Sequence, residues 1–243
     1  MQQTEVVLMA LAVGLYLYDS AILMFSNEAL LIPRAKDHWL VGFGSNRTTF
    51  KGKGIYIPNP FFPVQPLFKL MWNFEGEAKG FVRPWIANRA GYGRLAPLVW
   101  SLAVLTFILL PLVLFKRLGD TLILLNFGLI YANVLFIMLA LWLNRERFEL
   151  THRALVAMSL DLLVCPPFAL NIIRRLSLRV NVTEDLIHAA QRLQTPIDWE
   201  ATKAEVVTRL DDEIACEIDG SKSQAAMVLR RWQILNEPQN DKD

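Results

Sequence analysis

Cysteine is almost missing from this chain: Cys165 and Cys216 are the only two among 243 residues. One lies in an apolar stretch and the other in a polar one, so a disulfide framework is not expected. Histidine is nearly as scarce. His38, His152 and His188 are isolated, with no HExxH spacing and no cysteine pair, so neither a metal site nor a cofactor is expected. A dominant charge is lacking too. Lys and Arg number 25 against 23 Asp and Glu, a net charge of +2, and no basic run interleaves with aromatics. That excludes nucleic acid as an expected partner. There is no Walker A loop, and Gly42-Phe43-Gly44-Ser45 is neither a nucleophile elbow nor a complete dinucleotide loop. With no catalytic motif, the reading leans away from an enzyme.

A cleavable leader is not evident either. The first residues, MQQTEVV, contain Glu5 and no basic residue, and no small-x-small cleavage site follows. The first apolar block is therefore read as a retained span. The sequons Asn46-Arg47-Thr48 and Asn181-Val182-Thr183 are too common a pattern to decide a compartment.

What the chain does have is apolar length. It is 53% hydrophobic, and the excess gathers in residues 6–25, 96–115, 121–143 and 154–173. Each block is close to the roughly 20 residues a helix needs to cross about 30 Å of hydrocarbon. The expected fold is an all-α integral membrane protein with four apolar segments, a small β-containing first loop and a helical soluble tail. Blocks two and three are free of charge and joined by Lys116-Arg117-Leu118-Gly119-Asp120, which predicts an antiparallel helical hairpin. Block one contains Asp19. Block four contains Asp161, Asn171 and Pro166-Pro167, which must kink or break a helix, so it either spans or is re-entrant.

The expected division is 1–25 first transmembrane helix, 26–95 polar loop, 96–173 transmembrane helices two to four, 174–237 soluble helical tail and 238–243 disordered end. In the loop, Trp39 to Phe43, Thr48 to Lys51 and Ile55 to Pro58 read as a small β-meander between glycine-rich turns. Aromatic and basic residues then mix, and Trp72 and Trp85 are expected as interfacial anchors, with Arg174 and Arg175 anchoring the end of block four. Packing of these aromatics in the core of a loop domain is the plainer alternative. In the tail, Thr183 or Asn181 can cap a helix through about Leu193. Thr195-Pro196-Ile197-Asp198 begins a second, and a third starts near Ser221 or Ser223. Their apolar stripes form a small packing unit or a docking face.

All 25 Lys and Arg fall outside the four blocks: ten in the first loop, two in the 116–120 link, three in the 144–153 link and ten in the tail. Four spans would divide them 12 against 13, and three spans 23 against two. The tail is expected in the cytoplasm, with a bacterial inner membrane as the location. Asp19, Asp161 and Asn133 fall at similar depth when the blocks are counted from one face, and Asn126 shares a helix side with Asn133. These four predict an intramembrane polar layer. It is either a proton or cation site or hydrogen-bonded glue between helices. Three functions remain open: an accessory or scaffold subunit binding protein partners through the first loop and tail, a small proton- or cation-coupled transporter, and a membrane enzyme acting on lipid. The expected partners are the lipid bilayer and either another protein or a second copy of the chain.

Overall fold

The computed structural model describes residues 3–34, 38–46, 48–72, 89–116, 119–180, 182, 184–216 and 222–236. They cluster into two compact units, each gathered from separate stretches of chain. A helical unit takes residues 1–21, 57–66 and 84–179, and a mixed unit takes 22–56, 67–83 and 180–243.

The helical unit begins with α1 (Gln3–Ser20). Apolar block one runs on to residue 25, but the helix stops at Ser20 and Ile22–Met24 becomes strand β1 of the other unit. A continuous apolar run does not distinguish a helix from a buried strand. A short helix, α2 (Arg89–Tyr92), precedes the helical hairpin. Its first arm is α3 (Ala96–Val104), a π-helical turn at Leu105–Leu109, and α4 (Leu110–Phe115). The wide turn has a local cause. Pro111 has no N–H and its ring crowds the preceding turn, and Leu110 N–H accordingly bonds Leu105 O, five residues back. Gly119, at φ 105°, turns the chain into α5 (Asp120–Leu143), the second arm.

Thr151 caps α6 (His152–Val164) by accepting from Ala154 N–H at 3.2 Å. Block four then breaks, as Pro166-Pro167 demands. Cys165 leaves helical geometry, a 3-10 turn covers Pro166–Asn171, and α7 (Ile172–Ser177) follows. The outcome for the four apolar segments is therefore uneven. Two helices, Ala96–Phe115 and Asp120–Leu143, are long and apolar enough to cross a membrane, while the apolar helix of block one covers only Val6–Ser20.

The mixed unit holds more β-structure than a meander. Besides β1 it contains β2 (Glu28–Pro33), β3 (Trp39–Phe43), β4 (Thr49–Phe50), β5 (Lys53–Tyr56) and β6 (Phe68–Met71). They form two three-stranded antiparallel sheets, ordered β1-β5-β4 and β3-β2-β6. Lys51 and Gly52, both at positive φ, make the two-residue turn between β4 and β5. Every residue of the central strand β2 is buried.

The tail supplies α8 (Leu186–Leu193), α9 (Pro196–Cys216) and α10 (Lys222–Asn236) to this same unit. Asp185, rather than Asn181 or Thr183, caps α8, accepting from Ile187 N–H at 2.9 Å. Asn181 and Thr183 themselves lie outside the described residues, as does the expected disordered end at 238–243. Thr195 does begin α9, its hydroxyl accepting from Asp198 N–H and donating to the Asp198 carboxylate. Trp72, Trp199, Phe68, Leu30 and Leu31 are fully buried in the core of the unit.

Candidate functional site

The polar residues of the helical unit converge where α1 ends and block four breaks. Ser20, the last residue of α1, donates its hydroxyl to Tyr16 O at 2.7 Å and lies 3.1 Å from Asn171 Oδ1, an alternative acceptor for the same proton. Asn171 Nδ2 donates to Tyr16 O and to Asp19 Oδ2. Arg174, only 2% exposed, donates through Nη1 to Asn171 Oδ1 at 3.0 Å and through Nη2 to the carbonyls of Asn59 and Phe62 at 2.7 and 2.9 Å. Tyr16 hydroxyl donates to Pro60 O at 2.6 Å, tying the 57–66 segment to α1. Arg175 Nη2 lies 3.3 Å from both Asp19 Oδ1 and Asp161 Oδ2, and its guanidinium rests over the Phe168 ring.

The structure thus joins Asp19 to Asp161, with Arg175 bridging them. The helix break makes this possible. In an unbroken helix, 14 residues would separate Asp161 and Arg175 by about 21 Å, whereas the 3-10 turn returns Arg175 to hydrogen-bonding distance of Asp161. Two aspartates and two arginines balance the formal charge of the cluster. Fork-shaped guanidinium donors suit this arrangement because each can serve several oxygens at once.

The two expected asparagines lie elsewhere. Asn133, on α5, donates from Nδ2 to the Ser101 hydroxyl on α3. Asn126 belongs to the buried stripe of α5 with Ile130, Val134, Ile137 and Leu141, and neither of its amide atoms has a hydrogen-bond partner among the described residues. Arg174, expected as an interfacial anchor, is bound by protein groups instead. Trp72, expected in the same role, is 1% exposed in the mixed unit, its ring edge-on to Phe43 at 6.0 Å. Trp85 lies outside the described residues. The sequence pattern marks Asn171 as a polar residue of block four but does not place it in the polar layer, and it does not show the bonding role of Arg174. The signal available was the Pro166-Pro167 break, which implies that the chain beyond it folds back.

A second feature lies within the mixed unit, where residues of the first loop meet those of the tail. His38 Nε2 is 2.9 Å from Asp198 Oδ2, Arg209 Nη2 donates to Gly44 O at 2.7 Å, and Met71 bridges Asp185. Beside β3 and α9 runs a groove of about 550 Å³, lined among others by Val41, Phe43, Gln194, Thr202 and Arg209. A smaller space of about 220 Å³, also lined by Arg209, reaches Asp212 and Glu213. Among the described residues no three His, Cys, Asp or Glu side chains gather as a metal site.

Comparison with protein-family models, with curated proteins and with solved structures finds no match to this chain.

Proposed function

We propose that this protein is an integral membrane accessory or scaffold subunit whose helical unit lies in a bilayer and whose mixed unit receives protein partners. The observation that supports this most is the composite build of the mixed unit. Strands of the first loop and helices of the tail share one unit, so the chain devotes both of its long polar regions to a single folded module. The bilayer itself is supported by what the helices expose. Only 39% and 22% of the apolar stretches of Ala96–Phe115 and Asp120–Leu143 are buried, with Leu124, Phe136 and Leu143 of α5 more than half exposed. A core helix of a soluble protein buries its apolar surface. An outward face of leucine and phenylalanine is ordinary against lipid, where no hydrophobic cost attaches to it.

Sidedness follows from the same module. Loop strands and tail helices that pack together lie on one side of the bilayer, so the chain between them crosses an even number of times. The two long helices supply two crossings. The fourth segment, broken at Pro166-Pro167, then enters and returns on the face it left, and α1 makes the third crossing. This arrangement puts 23 of the 25 Lys and Arg on the side of loop and tail, with Lys116 and Arg117 on the other. The positive-inside rule makes that side the cytoplasm, with a bacterial inner membrane as the location.

The transporter reading draws on Asp19 and Asp161. Their shared partner Arg175 and the charge balance of the cluster favour a structural role, tying α1 to the re-entrant segment. Purification from native membranes in mild detergent should bring down a stoichiometric protein partner. A protein that is solitary in detergent and drives proton flux in liposomes contradicts the reading.

A further inference from the structure

We infer that the groove between β3 and α9 binds an extended, Lys- or Arg-bearing segment of a partner protein, which adds as a strand to the free edge of β3; this rests on the accessory-subunit reading. The edge is defined by hydrogen-bond parity. Arg34 N–H bonds His38 O at 2.8 Å, closing the β2–β3 hairpin. Alternation along an antiparallel ladder then turns the backbone groups of Leu40 and Gly42 toward β2, and those of Val41 and Phe43 away from it. Pro33, opposite Trp39, fits this register, because a residue there needs no N–H for β3. Among the described residues β3 has β2 as its one strand partner in the sheet, whereas the opposite edge strand, β6, is met by the bridge to Asp185. At Val41 and Phe43 the outward edge of β3 therefore borders the groove with backbone donors and acceptors outside the ladder, the template that strand addition uses, and the edge ends at Ser45, whose N–H bonds Ile55 O of β5.

Two further observations specify the occupant. Gln194, which lines the groove, is 5% exposed, and its Oε1 has no hydrogen-bond partner among the described residues. A buried amide oxygen without a donor is costly, and a peptide N–H is the kind of group that satisfies it. In the adjoining smaller space Asp212 and Glu213 form no ion pair among the described residues, while Arg209 is held by Glu205 and Gly44 O and Lys53 lies over the Phe25 ring. The groove's own lining carries two acids, Asp198 and Glu205, against one base, Arg209, and the adjoining space adds two more acids, a negative balance that selects a basic segment and disfavours nucleic acid. From Asp198 to Arg209, α9 offers about 17 Å of wall, room for roughly five residues of extended chain.

The test uses the full-length protein in nanodiscs and a fluorescein-labelled decapeptide of alternating Lys and Thr. A Glu/Thr decapeptide and a Lys/Thr decapeptide methylated at every second backbone nitrogen serve as controls. Val41→Pro removes the outward N–H without touching the β2 ladder, and Asp212→Asn/Glu213→Gln removes the free acids. The Lys/Thr peptide should bind, and Val41→Pro or backbone methylation should weaken it roughly tenfold. The acid-neutralised variant should lose most of the salt dependence. No binding of the Lys/Thr peptide, or equal binding of the methylated one, overturns the inference. The methylation arm keeps the test decisive should Val41→Pro fail to fold. A native partner retained equally by wild type and Val41→Pro overturns the groove while leaving the accessory role standing. Absence of any partner in wild type overturns the role itself.

Discussion

The longest helices of the two units, α5 and α9, treat polarity in opposite ways. On α5 of the helical unit, leucine and phenylalanine face outward while Asn126 is buried, and the charged cluster of Asp19, Arg174 and Arg175 is largely enclosed. In the mixed unit, β2, Trp39, Trp72 and Trp199 fill the core while α9 shows Asp211 and Asp212 outward. On the membrane reading proposed above, the difference teaches that apolar surface exposed on the helices is where lipid would pack.

The mixed unit also buries charge, and breaking one buried ion pair should give the largest effect. Arg230 and Asp185 pair at 3.0 Å with side chains 5% and 4% exposed, joining α10 to the cap of α8. Arg230→Met strands a buried carboxylate and should cost about 3–5 kcal/mol in denaturant unfolding. Arg230→Met with Asp185→Asn, which keeps a capping side chain, should recover much of that loss. A single variant as stable as wild type would show that the pair carries no weight in the core.

The outward face of α5 offers the next contrast. Leu129 is exposed near the middle of α5. Leu129→Arg should impair insertion by about 2.5–3.5 kcal/mol, read as loss from the membrane fraction. In the mixed unit, Asp212→Lys on the exposed side of α9 should change stability by less than about 0.5 kcal/mol. Equal tolerance of both changes would erase the distinction between the units.

Asn126 predicts a smaller effect of the opposite sign. Its amide is buried without hydrogen bonds among the described residues. Asn126→Leu should stabilise the protein in detergent by about 1–3 kcal/mol, visible as a raised melting temperature. Destabilisation would mean that the amide is satisfied by a bound group and belongs to a site.

Much of the local structure was legible in the sequence. The helical hairpin follows from charge-free length, the start of α9 from Thr195-Pro196, and the interruption of block four from Pro166-Pro167. What was hidden is non-local. Nothing in the local pattern of residues 67–72 shows that Phe68–Met71 pairs with Glu28–Leu31, so Trp72 read as an interfacial aromatic when it is core. Counting depth along straight helices brought Asp19 and Asp161 to one level but could not supply Arg175 between them, because that contact depends on the fold-back. Loop and tail, separated by the whole hairpin, gave no sign that they share a unit. The bonds from Arg209 to Gly44 and from His38 to Asp198 carry that information.

That shared unit is also where the account is most directly tested. In a Cys165→Ser background, Cys216 reports the tail. With Cys216 also replaced by serine, Thr49→Cys reports the first loop and Thr121→Cys the hairpin link. Labelling with a membrane-impermeant maleimide in intact cells should reach the Thr121→Cys thiol alone, and the loop and tail thiols should react together only after the membrane is opened. Labelling of loop and tail from opposite sides would contradict the account, since the two could not then fold as one unit and the fourth segment would have to cross.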